Sequence, residues 1–324
     1  MQLKEVDVPT PRAGEVLLRV HACGVCHTDV FLASGKVPQA RFPRTLGHEV
    51  AGEVVETGEG VPRAMMGKRV GMPWTYSTCQ CCQYCLSGEE VLCPEAKATG
   101  VTEHGGYADY MIAPAAYLTP LPDRMGYAEA APLFCAGLTT YKALRVGGIK
   151  PGHKVAVIGI GGLGHLAIQF ARNMGAEVVA ATGTEEKEHL ALELGAHYTI
   201  NTRQRDIVRE MDYLGGADLI LTTVWDAREI ERAIQCLSPD GTLVMVGVPK
   251  GTVSVPAEFL LSGRRRIMAS VTGSRHDLRE MLDFCVLHNI RAMIEEFPLE
   301  QAQETHDRIR ANKARFRDVL VTGA

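Results

Sequence analysis

Hydrophobic and polar positions change their pattern about one third of the way along the chain. Up to residue 122 the apolar residues come in short alternating runs bounded by turn-forming residues, as at 15–21 and 49–56, which predict β-strands. From residue 127 a predicted helix (127–145) is followed by near-continuous apolar runs that alternate with helical segments. The first part therefore indicates an irregular, mostly β domain. The second indicates a parallel sheet covered by helices on both faces.

The strands predicted for the parallel sheet are 154–160, 177–181, 198–200, 219–222 and 242–246. The helices predicted between them run from the end of the first strand to 174, from 185 to 194 and from 228 to 237. A helix at 277–288 and a final run at 317–322 complete the predicted elements.

Composition narrows the class of protein. The 324 residues are 46% hydrophobic and 22% charged, with a formal net charge of -4 and no block of five like charges, which argues against a nucleic-acid-binding surface. The polar N-terminus does not resemble a secretory signal, and the most apolar stretch, 155–171, is interrupted by glycines, His165 and Gln169. We therefore expect no membrane span and a cytoplasmic protein.

A glycine motif follows the first strand of the predicted parallel sheet. Gly159, Gly161 and Gly164 have the G-x-G-x-x-G spacing at a strand–helix junction, and Gly162 and Leu163 lie inside the same loop. Such a loop binds the pyrophosphate of a dinucleotide at the helix N-terminus. A glycine-rich turn without a ligand is the alternative, and the strand–loop–helix context argues against it.

The end of the second strand bears on which dinucleotide binds. An acidic residue there would favour NAD, but Thr182 stands at that position and is followed by Gly183, Thr184 and Lys187, which could hold a 2′-phosphate. This favours NADP over NAD, although the acidic residues at 185–186 weaken the case for a phosphate. Thr184 is also suited to be the N-cap of the next helix, and the two roles are compatible.

Ten cysteines are many for a cytoplasmic chain, in which disulfides are rare and clustered thiols usually bind metal. Four of them are spaced for a closed tetrahedral zinc site that pins a loop: Cys79, Cys82, Cys85 and Cys93. Cys81 could compete with them, but it breaks the regular two-residue gaps. A zinc-ribbon nucleic-acid module is the alternative, which the acidic chain argues against.

A second set of ligand-type residues is spread along the chain. Cys23 and Cys26 follow the first strand, His48 precedes the second, and Cys135 comes much later. Spacing alone does not bring these residues together. Residue types alone slightly favour a buried histidine and a buried small thiol, and no thioredoxin-like unit surrounds Cys23 and Cys26 to make them a redox pair.

Several segments together resemble blocks of the zinc-dependent alcohol dehydrogenases of the medium-chain dehydrogenase/reductase superfamily. They are 47–61, the four-cysteine loop, 105–110, 129–144 and 159–176. The resemblance covers nearly the whole chain. It implies an α/β fold of two domains: a partly open, GroES-like β-barrel that carries the catalytic zinc (1–136 and 273–324) and a doubly wound Rossmann domain that binds the dinucleotide (137–272).

The resemblance also implies roles for the dispersed residues. Cys26, His48 and Cys135 would bind a catalytic zinc with an open fourth position, and the four-cysteine loop would bind a structural zinc. Glu49 matches a residue close behind the catalytic metal. Asp29 matches a carboxylate that orients the histidine ligand.

Further residues match positions that handle the proton and the cofactor. Thr28 matches the hydroxyl that takes the substrate proton, but Phe31 replaces a histidine that ends the proton relay in many relatives. His27 stands where some relatives have an arginine that contacts the pyrophosphate. Arg317 resembles another pyrophosphate contact, although Phe316 replaces the glycine that precedes it in the family.

The function implied is hydride transfer between a primary or secondary alcohol, or the aldehyde or ketone in reverse, and NAD(P). Two zinc ions per chain and a preference for NADP are expected, with a small alcohol or aldehyde as partner, a homodimer or homotetramer, no nucleic acid and no membrane. An NADPH-dependent enoyl or quinone reductase of the same superfamily is one alternative. A non-catalytic NADPH-binding structural protein is another, and zinc stoichiometry and zinc-dependent turnover distinguish the three.

Overall fold

The computed structural model describes residues 1–35, 37 and 41–323. The chain divides into two compact units, the first formed by Met1–Leu138 with Gly273–Ala324 and the second by Thr139–Thr272. Each unit has its own main sheet. No helix among the described residues combines the length and apolarity needed to cross a bilayer.

The strands in chain order are β1 (Glu15–Gly24), β2 (Val50–Thr57), β3 (Arg69–Met72), β4 (Thr75–Ser77), β5 (Lys97–Ala98), β6 (Tyr110–Pro114), β7 (Thr119–Pro120), β8 (Lys154–Ile158), β9 (Glu177–Thr182), β10 (Tyr198–Asn201), β11 (Ala217–Thr222), β12 (Leu237–Met245), β13 (Arg266–Ala269), β14 (Ile294–Pro298) and β15 (Arg317–Val321).

The α-helices are α1 (His27–Ala33), α2 (Gln83–Leu86), α3 (Tyr127–Ala130), α4 (Ala136–Val146), α5 (Gly164–Asn173), α6 (Glu185–Glu193), α7 (Ile207–Tyr213), α8 (Ala227–Gln235), α9 (Ala257–Gly263), α10 (Arg275–His288) and α11 (Ala302–Arg310). Short 3₁₀ turns lie at Arg63–Met65, Glu90–Leu92, Ala115–Tyr117, Ala131–Phe134 and Leu299–Gln301.

The first unit is organised around β1, which pairs antiparallel with β2, β6 and β15. The sheet has the order β14-β15-β1-β2-β3-β7, with β6 also on β1, and β4 pairs separately with β5. Val16, Leu18 and Val20 of β1 are fully buried and pack with Val50 and Val54 of β2. The alternation read from the sequence at 15–21 and 49–56 thus corresponds to real strands whose ends lead into the loops described below.

The second unit is a six-stranded parallel sheet in the order β10-β9-β8-β11-β12-β13. The strand order reverses between β8 and β11, which is the doubly wound arrangement. The predicted parallel sheet is confirmed, and its inner strands are buried as their apolar sequences require. The short helices α7 and α9 were not predicted.

The predicted helix at 127–145 is wrong in its middle. α3 ends at Ala130, a 3₁₀ turn follows, and α4 begins only at Ala136. Pro132 lies in the 3₁₀ turn, where proline lacks the N–H that a continuous helix needs and restricts the residue before it. Cys135 therefore lies between helices, with φ -130° and ψ -69°.

Candidate active site

One buried carboxylate ties together the two loops that carry the dispersed ligand-type residues. Asp29, in the first turn of α1, accepts a hydrogen bond from the backbone N–H of Cys26 (2.9 Å) and one from that of Gly47 (3.1 Å). Its Oδ1 also lies 3.2 Å from Nδ1 of His48, and Asp29 and His48 are both fully buried. The start of α1 and the loop before β2 are thereby held against each other.

A glycine-rich segment supports the loop that presents His48. The backbone N–H groups of residues 105–107 donate to the carbonyls of Thr45, Gly47 and Leu46 over 2.9–3.0 Å. A Cβ on Gly105 would come within 2.0 Å of the Gly47 carbonyl oxygen, so this close approach requires glycine. In the sequence, residues 105–107 show no role beyond their resemblance to the family.

The fold brings four ligand-type side chains together although they lie far apart in the sequence. One ligand atom from each of Cys26, His48, Glu49 and Cys135 lies within 4.8 Å of every other. Nδ1 of His48 faces Asp29, whereas its Nε2 is buried and makes no hydrogen bond to any residue in the described ranges 1–35, 37 and 41–323. A buried imidazole nitrogen beside two thiols and without a hydrogen-bond partner fits a zinc ligand.

Glu49 belongs to a second charged contact in this site. Arg317, at the start of β15, forms a two-pronged ion pair with it: Nε lies 3.1 Å from Oε2, and the terminal nitrogen binds Oε1. Both side chains are buried. A Cβ on Gly24 would lie 1.9 Å from Oε2 of Glu49, so a residue without a side chain is needed at the end of β1. The pyrophosphate contact expected of Arg317 stays a prediction.

The side chains of this group shift one another's pKa values. The adjacent Cys135 thiol lowers the pKa of Cys26 well below its usual value even though burial opposes this, while Cys26 and burial raise the pKa of Cys135. Burial would lower the pKa of His48, but Asp29 and Cys26 raise it well above its usual value. Burial raises the pKa of Glu49 to about 7 against the opposing charge of Arg317. A cation bound here would displace such protons.

The other predicted residues of α1 lie beside this group. Oγ1 of Thr28 is 3.6 Å from Sγ of Cys26. The rings of His27 and Phe31 lie on the same side of α1, with centroids 5.3 Å apart. Outside α1, the ring of Trp74 makes a T-shaped contact with His48, with 5.0 Å between centroids, and also packs against the buried cluster of Leu32, Leu46 and Val101.

The four-cysteine loop forms a second, local group. Sγ of Cys79 lies 3.9 Å from that of Cys85 and 3.6 Å from that of Cys93, and Sγ of Cys82 lies 3.6 Å from that of Cys85. A tetrahedron with zinc–sulfur bonds of about 2.3 Å has edges of roughly 3.8 Å, so the four thiols fit such an ion. Cys81 is exposed and lies outside the group.

Backbone N–H groups prepare this loop for a thiolate. The N–H of Cys82 donates to Sγ of Cys79 over 3.3 Å. The N–H groups of Cys81 and Cys82 lower the pKa of Cys79 to about 6. A thiolate is the form of cysteine that binds metal.

In the second unit the glycine motif forms the loop between β8 and α5. Gly159 has φ +90°, and its N–H donates to the Ala181 carbonyl over 3.0 Å. A Cβ on Gly164 would lie 2.0 Å from the Gly159 carbonyl oxygen, whereas one on Gly161 would meet no atom within 4 Å beyond its chain neighbours, among the residues that the structure describes. Gly159 and Gly164 are therefore needed for the turn itself, and Gly161 leaves space for a ligand.

The residues predicted to contact the 2′-phosphate of the adenosine ribose lie at and just after the end of β9. Thr182 is its last residue and is buried, and Gly183 follows it. Thr184 is the N-cap of α6 and accepts from the Lys187 N–H over 3.4 Å, as its capping role predicts. Lys187 thus lies in the first turn of α6.

Known protein families cover most of the chain. Residues 12–123 match the family described as "Alcohol dehydrogenase GroES-like domain", and residues 162–286 match "Zinc-binding dehydrogenase". An alcohol dehydrogenase of Geobacillus stearothermophilus is 42% identical over 322 residues, which are 99% of this chain and 95% of that protein. The chain belongs to the zinc-dependent alcohol dehydrogenases.

Solved structures support the same conclusion for this alcohol dehydrogenase. The Helicobacter pylori protein named CAD, complexed with NADP(H), has a TM-score of 0.85 and 28% identity, covering 96% of this chain and 91% of that one. Acetophenone reductase from Geotrichum candidum, in complex with NAD, has a TM-score of 0.88 and 29% identity, covering 99% and 93%. The predicted fold class, GroES-like plus Rossmann, is confirmed, and the enzyme is an NAD(P)-dependent oxidoreductase of alcohols and aldehydes.

Proposed function

We propose that this alcohol dehydrogenase holds two zinc ions per chain. Cys26, His48 and Cys135 would bind the catalytic ion, and the four-cysteine loop (Cys79, Cys82, Cys85 and Cys93) the structural one. The observation that carries the first assignment is the buried Nε2 of His48, which lies beside two thiols and, among the described residues, makes no hydrogen bond. Three protein ligands leave one position of a tetrahedral ion for substrate.

Bound zinc would act there as a Lewis acid that lowers the pKa of an alcohol or polarises a carbonyl. The surrounding residues orient the histidine ligand and accept the proton of the substrate. Asp29 fixes the tautomer and direction of His48 through Nδ1. Thr28, whose Oγ1 is 3.6 Å from Sγ of Cys26, is the hydroxyl placed to take the proton of an alcohol. Phe31 has no titratable group, so the proton leaves Thr28 by another route.

Glu49 is held behind the proposed ligands by Arg317 and Gly24. The pair would place a carboxylate beside a bound metal, and the guanidinium balances the charge of that carboxylate. We propose that Glu49 enters the ligand set only transiently. Its ion pair with Arg317 would otherwise have to break.

We propose NADP as the preferred cofactor. Gly159, Gly161, Gly162, Leu163 and Gly164 would bind the pyrophosphate at the start of α5. Thr182, Gly183, Thr184 and Lys187 would face the adenosine ribose, where no carboxylate ends β9 to select a free 2′-hydroxyl. His27 and Arg317 are proposed as further contacts to the pyrophosphate. Similar solved structures contain either NADP(H) or NAD, so the choice rests on these residues.

The remaining assignments also stay proposals. The catalytic domain would comprise 1–136 and 273–324, and the dinucleotide-binding domain 137–272. The substrate would be a primary or secondary alcohol, or the corresponding aldehyde or ketone. We propose a cytoplasmic homodimer or homotetramer.

Zinc analysis combined with turnover tests the catalytic site. We expect wild-type protein to contain two zinc ions per chain and to oxidise short alcohols. His48→Ala and Cys26→Ser should each retain one zinc and lose activity by at least about 1,000-fold, which corresponds to roughly 4 kcal/mol of transition-state stabilisation. Full turnover in a variant that has lost this zinc would disprove the assignment. A single zinc in active wild-type protein would do the same.

A further inference from the structure

Two cationic side chains lie beside the end of β9. Arg203 follows β10, and the stem of its side chain lies over Gly183, where an ideal Cβ would be 3.2 Å from its Nε. Lys187 is half-buried in the first turn of α6. Across residues 1–35, 37 and 41–323, neither the Arg203 guanidinium nor the Lys187 ammonium makes an ion pair or a hydrogen bond; only the backbone N–H groups of these residues do.

The backbone of Arg203 is fixed by its neighbours. Asn201 of β10 pairs with Thr182 of β9, and the N–H of Thr202 donates to the Thr182 carbonyl over 2.8 Å. The N–H of Arg203 itself donates to the Asn201 side-chain carbonyl over 3.2 Å. These hydrogen bonds therefore fix the loop that places the Arg203 side chain at the end of β9, and Gly183 leaves room for it.

Nearby acidic side chains are engaged elsewhere. Glu185 accepts from the Gln204 amide over 3.3 Å. Glu188 binds Arg205 at 2.9 Å and also accepts from the Asn201 amide at 3.2 Å. The acidic residues that weaken the case for a phosphate in the sequence are thus partly turned towards the loop after β10.

The two cations also act on each other. Burial lowers the pKa of Lys187, and the positive charge of Arg203 lowers it further against the opposing effect of Glu186. Two like charges held close together are unfavourable unless an anion joins them. The end of the second strand is where this fold meets the 2′ substituent of the adenosine ribose.

We propose that Arg203 is a specificity-determining residue that, together with Lys187, binds the 2′-phosphate of NADP. This inference rests on the proposed cofactor preference and extends it to a side chain beyond β10. Arginine binds phosphate through a planar fork of N–H donors. Glycine at 183 favours this arrangement, because a Cβ there would lie 3.2 Å from Nε of Arg203 and the arginine would have to shift slightly.

Binding of two cofactor fragments tests the proposal without zinc chemistry. The probes are 2′,5′-ADP and 5′-AMP, measured by calorimetry on the full-length enzyme. We expect Arg203→Ala to reduce the preference for 2′,5′-ADP by at least about tenfold, as expected for a charge-assisted contact to phosphate. Arg203→Lys should retain part of it. Arg205→Ala is the matched control. It removes the same charge two residues further along the chain, from an arginine that Glu188 already binds, and it should change the preference for 2′,5′-ADP less than twofold.

Turnover gives a second measurement. In Arg203→Ala, kcat/KM for NADP should fall by at least about tenfold while that for NAD stays within about twofold. An unchanged preference in Arg203→Ala, an equal loss in Arg205→Ala, or inorganic phosphate bound as tightly as 2′,5′-ADP would each overturn the proposal. If the wild type does not distinguish the two fragments but turns over alcohols with NAD, the proposed NADP preference and the role of Arg203 both fail and the alcohol dehydrogenase activity stands.

Discussion

The two proposed zinc sites of the first unit are built in opposite ways. The four-cysteine group comes from one stretch, 79–93, on a loop that contains only the short α2 and a 3₁₀ turn, and three of its cysteines are half-exposed while Cys93 is buried. The other group draws Cys26 from the start of α1, His48 from the loop before β2 and Cys135 from the break before α4. The first is a property of local sequence, and the second is a property of the tertiary fold.

The surroundings differ as much as the ligands do. Backbone N–H groups of the loop stabilise the thiolate of Cys79. Two buried carboxylates are part of the dispersed site. Asp29 faces His48, and Glu49 faces Arg317. We infer that the loop depends on bound metal for its structure, so that losing the metal lowers the stability of the chain, whereas the dispersed group would remain assembled by its ion pairs.

The largest expected effect on stability comes from removing zinc from the four-cysteine loop. Structural zinc contributes on the order of 10 kcal/mol in small zinc modules, and the secondary structure of this loop is only the four-residue α2 and a three-residue 3₁₀ turn. Cys82→Ser should therefore remove one zinc per chain and lower the thermal midpoint by more than about 5 °C, as measured by scanning calorimetry with metal analysis.

Cys81→Ser is the matched control for this change. Cys81 is exposed, lies next to Cys82 and is outside the four-thiol group. It should keep both zinc ions and the wild-type midpoint. If Cys81→Ser loses zinc to the same extent, the loop uses a different ligand set from the one proposed.

An intermediate effect is expected in the dispersed site. Glu49→Gln leaves Arg317 buried without its counter-charge, and removing one member of a buried pair costs about 3–5 kcal/mol. Denaturant unfolding of the metal-free protein measures this cost. The double variant Glu49→Gln with Arg317→Met should recover part of the loss; if it is no more stable than Glu49→Gln, the pair does not couple as proposed.

How far the sequence predicts each site follows from the same contrast. The spacing at 79–93 indicates a four-thiol group directly, because neighbours in a short loop are also neighbours in space. No spacing links Cys26, His48 and Cys135, and residue types alone favoured buried core residues. Only the resemblance to a family suggested the ligand set, and the fold supplies its physical basis through Asp29, which bonds to both loops at once.

The second unit shows where periodicity is sufficient and where it is not. Its parallel strands follow from apolar runs that alternate with helices, since both faces of the sheet are buried. Arg203 was missed because its relation to Gly183 depends on the pairing of β9 with β10, which no local pattern specifies. The break at Cys135 was missed for a simpler reason: Pro132 in an apolar run marks a boundary that the helical pattern obscured.

The smallest expected effect is on the pH dependence of the free energy of unfolding. It distinguishes the two sites because a buried histidine supports only the dispersed one. His306 of α11 is fully buried, and its Nε2 lies 3.4 Å from the hydroxyl of Tyr107, in the segment that supports the His48 loop. Burial lowers the pKa of His306 below 6.5; Arg310 and the N-terminal amino group add to this, while Asp29 and Asp307 oppose it. No comparable histidine belongs to the four-cysteine group.

Because folding depresses this pKa, the unfolded chain binds the proton first as pH falls. The contribution of neutral His306 to stability is therefore present above its unfolded value of 6.5 and is lost as pH falls towards the folded-state pKa. We expect the wild type to lose more free energy of unfolding than His306→Phe between about pH 7.5 and about pH 5.5, because phenylalanine cannot be protonated. His276→Gln, at an exposed position, should keep the wild-type slope. An equal slope in His306→Phe would show that protonation of His306 does not contribute to the pH dependence of stability.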